Sequence, residues 1–447
     1  MSVRPLTILQ VSTYERRGGA EQVARNLFEA YRAQGHRSHL AVGRGAASDA
    51  GVIALEGRRR AAHLLNGPGR VLDRLFGIES FRYPASRDLA GVLPEAPDII
   101  HAHNLHGGYF DLSQLGALSQ RYAVLLTLHD AWLLSGHCAH SFDCERWRRG
   151  CGACPDLTIY PAVRRDATAR NWRRKRAIFE ACRLNVATPS EWLMRRVRAS
   201  IVAPAIADAR VIPNGIDLSV FTPGDARDAR AELDLPFDRP ILLAAGTGLR
   251  RNVFKDYDSL RAATVRAASL AGRAPLLIVL GEDGAPEHED DVDIRFVPFE
   301  HGPAVVAAYY RAADVYVHAA RADTFPLAVM EAMACGTPVV ASAVGGIPEQ
   351  VRSFVGTASA VAPEHEATGA LLPPGDAEGM AHAITALLTD RGLHARVGAS
   401  AARDARLRFG LHHQRDAYLE WYRELVEQQR APPPATPARP HRTTRWA

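Results

Sequence analysis

The sequence almost lacks lysine: of 54 basic residues only Lys175 and Lys255 are lysines. Against that arginine background a lysine marks a place that suits a compact point charge. Lys175, in Trp172-Arg173-Arg174-Lys175-Arg176, reads as part of a solvated basic helix face, whereas Lys255 follows a strand and a glycine-containing loop. Long apolar runs are also missing. No window of 18 uncharged apolar residues occurs, which argues against a membrane-spanning helix. The start, MSVRPLTILQVSTYERR, has no extended apolar segment of a secretory signal, and Leu6–Val11 reads instead as a first strand. No basic platform is interleaved with aromatics, so a nucleic-acid partner is not expected. No repeat of fixed period is visible, which removes solenoids. The expectation is a soluble cytoplasmic protein, peripheral at most to the inner face of the plasma membrane.

What is present fits an ordinary globular chain. The 447 residues allow two or three domains at roughly 150 each. A hydrophobic share of 47% with 23% charged residues excludes wholesale disorder. The net charge of +5 is a mild excess, read either as an arginine-rich surface or as attraction to anionic lipid head groups or phosphorylated substrates. The basic stretch from Arg164 to Arg198 is where a membrane contact would fall.

Short β-rich runs alternate with helical patterns, as parallel α/β architecture requires. The first half carries candidate strands at Leu6–Ser12, His39–Val42, Ile99–His103, Val124–His129, Val186–Pro189 and Val211–Pro213. The second carries Ile241–Ala245, Leu276–Leu280, Ile294–Val297, Val315–His318, Pro338–Ala341 and Ala370–Leu372. The expected organisation is an N-terminal Rossmann-like domain over 1–215 with a Cys-rich insertion at 130–170, a breaker-rich linker over 216–238, and a second Rossmann-like domain over 239–410. A C-terminal helix over 411–430 and a disordered tail over 431–447 follow, and 354–367 reads as a small loop insertion. Two such doubly wound domains would face each other across a cleft, with ligands outside the carboxyl ends of the strands.

Four cysteines crowd together: Cys138, Cys144, Cys151 and Cys154. In a reducing compartment this spacing admits a structural zinc, with His137 or His140 able to replace one thiol; disulfides and free thiols stay open. Cys182 and Cys335 read as core.

Four stretches carry chemistry. Gly18-Gly19 lies between the first strand and its helix, where bare backbone can approach a ligand at a helix N-terminus. His101-Ala-His103 and Leu128-His129-Asp130 end successive strands, so both reach one crevice, and a neutral His129 there could hydrogen-bond a sugar hydroxyl. Gly246-Thr-Gly248-Leu-Arg250 through Lys255-Asp256 offers two cations to a diphosphate, each charge-assisted bond being worth roughly 1.5–3 kcal/mol. The most specific stretch is Asp323-Thr-Phe325-Pro326-Leu327 through Glu331 to Gly336-Thr-Pro338. Pro326 fits the first helical turn, and Glu331 then lies about 7.5 Å farther along the axis. Two carboxylates so spaced can hold two groups of hydroxyls on one ligand, with free N–H groups facing a phosphate between them. Gly345-Gly346-Ile-Pro-Glu349 repeats the glycine-then-helix design.

Together these residues resemble the retaining glycosyltransferases of family 4, of GT-B fold, over roughly residues 5 to 425. The resemblance implies a nucleotide-sugar donor and a glycan, lipid-linked or small-molecule hydroxyl acceptor, with no cofactor required for catalysis. It assigns donor-sugar hydroxyls to Asp323, ribose hydroxyls to Glu331, the diphosphate to Arg250 and Lys255, and leaving-group support to backbone near Phe325 and Leu327. Gly18 and Gly19 match the family's glycine loop, and His129 its active-site histidine. The family's usual first carboxylate is a glutamate; Asp323 is one methylene shorter. The Cys-rich insertion resembles a subgroup associated with bacterial exopolysaccharide and related glycan assembly. Rival readings are a GT-B enzyme of other chemistry, such as an epimerase or a phosphorylase, and a catalytically degenerate partner subunit.

Overall fold

The structure, a computed structural model, describes residues 4–56, 60–355, 362–363 and 365–430, without the side chains of 60–66 and 85. The expected tail over 431–447 lies outside the described residues, as does part of the expected loop insertion over 354–367.

Two seven-stranded sheets form the frame. The first contains β1 (Thr7–Ser12), β2 (Arg37–Val42), β3 (Val52–Ala54), β4 (Ile99–His103), β5 (Ala123–Thr127), β6 (Leu184–Thr188) and β7 (Ile206–Val211). The second contains β8 (Ile241–Ala245), β9 (Leu276–Leu280), β10 (Glu287–Glu289), β11 (Val292–Val297), β12 (Val315–His318), β13 (Val339–Ser342) and β14 (Gly369–Leu372). The first sheet runs β3-β2-β1-β4-β5-β6-β7 and the second β10-β11-β9-β8-β12-β13-β14. All neighbours pair parallel except the β10–β11 edge. Helices cover both faces, so β1, β4, β5 and β9 are buried at every position, and β9 is apolar throughout. The two strands missing from the sequence reading, β3 and β10, are three-residue edge segments, and β7 runs over Ile206–Val211 where Val211–Pro213 was expected. Glu287-His288-Glu289 carries no apolar alternation to read.

In each sheet the strand order reverses once, between β1 and β4 and between β8 and β12. A crevice opens there at the carboxyl ends. The Gly18-Gly19 loop and His103 stand at the first switch point, and the Gly246–Lys255 loop and Asp323 at the second.

The 216–238 stretch is more than a linker. It contains the helix Ala226–Glu232, and Arg230 bonds Ala312 O at 2.9 Å and pairs with Asp314 at 2.8 Å. The helix Leu411–Arg430 returns to the first domain and buries Tyr418, Trp421 and Tyr422 with Leu6, Ile8 and Tyr31. Its phenols close a buried polar network. Tyr422 Oη meets His101 Nδ1 at 2.5 Å and Tyr31 Oη at 3.2 Å, while Tyr418 Oη meets Thr127 Oγ1 at 2.9 Å.

Lys175 corrects the sequence reading. It is fully buried, not part of a solvated face. Its ammonium donates to Trp132 O at 2.9 Å and Ser135 O at 3.1 Å, pairs with Glu79 at 2.8 Å, and lies 3.7 Å from the Trp132 ring centre. A helix whose Arg170, Arg173 and Arg176 face solvent disguised the one that faces inward. Cys335 is buried as expected, but Cys182 is only partly so.

Candidate active site

The second domain supplies a compact cation–carboxylate–imidazole group. Phe254 O accepts the N–H groups of Arg321 and Ala322, and Lys255 bridges Ala320, which staples the loop after β8 to the loop after β12. Lys255 Nζ then donates to Asp323 Oδ2 at 2.7 Å. His318 Nε2 lies 3.2 Å from the same oxygen, and its Nδ1 lies 2.9 Å from Tyr316 Oη. With the phenol donating to Nδ1, the Nε2–H donates to Asp323. Burial alone would raise the Asp323 carboxyl, but Lys255 beside it and the bond from His318 hold it well below the usual range. Burial, and then Lys255, push His318 down, so it stays neutral.

The helix after this loop is Leu327–Ala334, with Pro326 at its N-cap rather than in its first turn. Its leading N–H groups have no intrahelical acceptor. Glu331 lies deep in it and accepts Tyr310 Oη–H at 3.0 Å on one oxygen. Burial pushes its carboxyl up to about 7, against that hydrogen bond.

Arg250 and Lys255 do not converge on one free space. The Arg250 guanidinium pairs with Glu282 at 3.1 Å and Glu287 at 3.3 Å, donates to Asp283 O at 2.6 Å, and stacks over Phe296. Lys255 faces Asp323 instead. Beside Lys255, Gly246 at φ +154 leaves the backbone bare, and a Cβ there would meet the Lys255 chain at 3.9 Å.

On the first domain, His129 follows β5 and is buried. His103 Nε2 faces Gln10 Oε1 at 3.1 Å, and its Nδ1 faces His129 Nε2 at 3.1 Å. With an oxygen accepting from His103 Nε2–H, His129 donates through Nε2 and keeps its Nδ1 lone pair unused. Burial pushes His129 down to about 4, with Asp130 pulling weakly the other way. His101, by contrast, faces the C-terminal helix.

Sequence reasoning missed a second group here. Asp130 accepts from Asn104 Nδ2 at 3.1 Å and from Trp132 N at 2.9 Å, and pairs with His106 Nε2 at 2.8 Å. Glu21 lies close by, folded back against Gly18, where a Cβ would come within 2.8 Å of its carboxylate, whereas a Cβ on Gly19 would meet nothing. Burial raises the Glu21 carboxyl. Glu21 lies directly in the Gly-Gly motif, which was the available signal; His106 had none.

The two halves meet across the cleft. Thr324 Oγ1 donates to His129 O at 2.6 Å, and Asn214 Nδ2 donates to Phe325 O at 3.3 Å. Thus His129 and the Asp323–Phe325 loop are neighbours. Glu349 receives the N–H groups of Glu191 at 2.8 Å and Trp192 at 2.7 Å, capping a first-domain helix from the second domain. Leu327 is half-exposed at the helix start.

The Cys-rich insertion reaches this seam: Phe142 stacks on Phe254 with ring centres 5.8 Å apart, one residue from Lys255. Cys138, Cys144, Cys151 and Cys154 line one small cavity with His137, of about 20 Å³. All four are free thiols, and among the described residues no three potential ligands stand where they could hold a metal. His137 instead lies 3.4 Å from Cys154 Sγ and 3.1 Å from Pro161 O, and Cys151 Sγ accepts Gly136 N–H at 3.2 Å. As arranged, the thiols do not form the expected zinc site.

Two facing doubly wound domains with opposed switch points define the GT-B class. Solved structures of that architecture superpose over nearly the whole chain. Sucrose-phosphate synthase of Thermosynechococcus elongatus matches with a TM-score of 0.63 at 22% identity, covering 94% of this chain and 99% of that one. HepE of Anabaena, solved in complex with UDP-glucose, matches with a TM-score of 0.60 at 17% identity, covering 94% and 100%. The model of Glycosyltransferase Family 4 matches residues 17–220, and that of Glycosyl transferases group 1 matches 284–404. A D-inositol 3-phosphate glycosyltransferase of Mycobacteroides abscessus is 30% identical over 417 residues, spanning 90% of this chain and 81% of the relative. The chain belongs to glycosyltransferase family 4.

Proposed function

We propose that the enzyme moves a glycosyl unit from a nucleotide-diphosphate sugar to a hydroxyl acceptor with retention of anomeric configuration. The observation that carries this reading is the cross-cleft neighbourhood of His129 and Asp323, with Lys255 on one side and a helix N-terminus on the other. The Asp323 oxygen not held by Lys255 and His318 accepts donor-sugar hydroxyls, and ionised Glu331 accepts ribose hydroxyls. Lys255 and the N–H groups at Leu327 face the diphosphate and stabilise charge as it leaves. Arg250 takes part only by exchanging Glu282 and Glu287 for phosphate. The acceptor hydroxyl attacks from the departing side, and its proton passes to the leaving phosphate oxygen. Neutral His129 orients a hydroxyl that donates to its free Nδ1. The acceptor lies against Glu21, His106 and Asp130, and is a glycan, a lipid-linked sugar or a small polyol, in exopolysaccharide, lipopolysaccharide or related assembly.

Solved HepE holds UDP-glucose, so uridine diphosphate sugars head a thermal-shift screen that also includes GDP, ADP and TDP sugars, with and without EDTA. One base is expected to raise the melting temperature in both conditions, and Lys255→Ala to remove that shift together with transfer. No response to any nucleotide, or full transfer by Lys255→Ala, would refute the reading. In the EDTA arm, a fall in baseline melting temperature would place a metal on the four cysteines.

A further inference from the structure

One face of the first domain is apolar and exposed without a partner. The helix Arg60–Leu75 ends in Val71, Leu72 and Leu75, and Phe76 follows it. These four side chains are 61%, 55%, 43% and 52% exposed. Among the described residues they make up four of the ten large apolar side chains open to solvent, within six positions. Their spacing of i, i+1, i+4 and i+5 puts them on one helix face.

The surroundings are basic. The backbone after Phe76 packs against the segment that begins the helix Thr168–Glu180. A Cβ on Gly77 would lie 1.8 Å from Arg165 O, Asn171 Nδ2 donates to Gly77 O at 3.0 Å, and Arg174 donates to Glu79 O at 2.7 Å. The Arg165 guanidinium lies 5.4 Å from the Phe76 ring centre. The joined segments 67–83 and 164–176 hold ten basic residues against three acidic ones, a formal +7 in a chain whose total is +5. The rest of the chain is therefore slightly acidic, and the two joined segments that carry the apolar face hold the excess positive charge.

We propose that this face seats on an anionic lipid bilayer, with Val71, Leu72, Leu75 and Phe76 entering the headgroup–acyl boundary and the arginines pairing with lipid phosphates. An apolar stripe rimmed by arginine matches both layers of such a surface. A protein partner would have to supply an acidic frame around an apolar centre; an anionic bilayer presents that pairing everywhere. The face is also tied to the active site. Glu79, three residues past Phe76, accepts Trp132 Nε1–H at 2.7 Å and pairs with buried Lys175 at 2.8 Å. Trp132 packs edge-on against His106. Seating the face would thus fix the acceptor side at the bilayer.

The test is vesicle co-sedimentation of the full chain. Binding to phosphatidylcholine vesicles with about 30% phosphatidylglycerol is expected to exceed binding to pure phosphatidylcholine by about tenfold, and to weaken in high salt. Leu72→Glu/Phe76→Glu should abolish binding, and Arg74→Glu/Arg165→Glu should lower it about tenfold, both with unchanged melting temperature and nucleotide response. Wild-type protein that stays in the supernatant would overturn the proposal, as would Leu72→Glu/Phe76→Glu sedimenting like wild type. So would a concentration-dependent dimer dispersed by that variant without vesicle binding, which would assign the face to a second copy. The nucleotide response keeps this outcome separate from the fate of the transfer reading.

Discussion

Both lysines of the chain are inward-facing and carboxylate-paired, Lys175 with Glu79 and Lys255 with Asp323. A compact ammonium fits such enclosed sites where a planar guanidinium would not. At Asp323 the shorter side chain is held from two sides, so His318 does for this aspartate what reach does for a glutamate. His318→Leu is expected to raise the donor KM about tenfold, the loss of roughly 1.4 kcal/mol from one bond to a charged group, while His318→Asn recovers part of it. An unchanged KM would show that Lys255 alone suffices. Glu331 makes a pH prediction. Its folded value, near 7, lies above its unfolded one. Its ionised form therefore fills in only as pH rises through 7, and donor affinity should tighten over that interval. The sign for stability is opposite: between about pH 4.5 and 7 the folded state holds the extra proton, so rising pH costs stability. Glu331→Gln should flatten the affinity profile and melt higher than wild type at pH 8, but not at pH 4.

At the scale of elements, the site is assembled by short stretches that cross between domains. The helix Glu191–Arg198 begins with its N–H groups on Glu349, a residue more than 150 positions later. Gly346 permits this approach, since a Cβ there would lie 2.9 Å from Ser190 Cβ across the seam, and both glycines let the Asp323–Thr324 backbone pass close. A Cβ on Gly345 would fall 1.7 Å from Asp323 O, and one on Gly346 2.1 Å from Thr324 O. The glycine-then-helix motif visible in the sequence therefore serves as an interdomain clasp, a role that sequence position could not reveal. Glu349→Ala should cost about 0.5–2 kcal/mol through loss of the two cap bonds, one of them to an exposed donor, and widen the cleft. Small-angle scattering would then show a larger radius of gyration in the variant, and Glu349→Gln should lie between. Identical scattering and melting would mean that the clasp contributes nothing to closure.

At the scale of the molecule, a buried histidine system spans the first domain, from the C-terminal helix through His101 and His103 to His129. Ring centres of His101 and His103 lie 4.0 Å apart, and those of His103 and His129 5.4 Å. Burial pushes all three below the ordinary histidine value, His129 to about 4. Unfolding in acid lets them bind protons that the native state refuses. Their stabilising share is complete above about pH 6.5 and is lost as pH falls toward 4, at about 1.4 kcal/mol for each tenfold difference in proton affinity between the unfolded and folded states. Urea unfolding at pH 7.5, 6 and 5 should show a steep decline that His101→Gln makes shallower; parallel profiles would refute it. The C-terminal helix should loosen early in that decline, because its phenols bond to His101.

The sequence by itself determined the alternation of apolar strands and amphipathic helices, because burial of both sheet faces demands predominantly apolar strands. It also placed the chemistry-bearing loops at strand ends, because glycine, proline and charge break off the apolar runs there. Tertiary structure alone decided the pairings. Arg250 meets Glu282 and Glu287, both from the stretch that follows β9, and Lys175 turns inward while Arg173 and Arg176 on the same helix stay in water. His106 gains its role from Asp130 and Glu21, which come from different strand ends. Side-chain charge state and direction depend on burial and on partners distant in sequence, and a one-dimensional pattern carries neither.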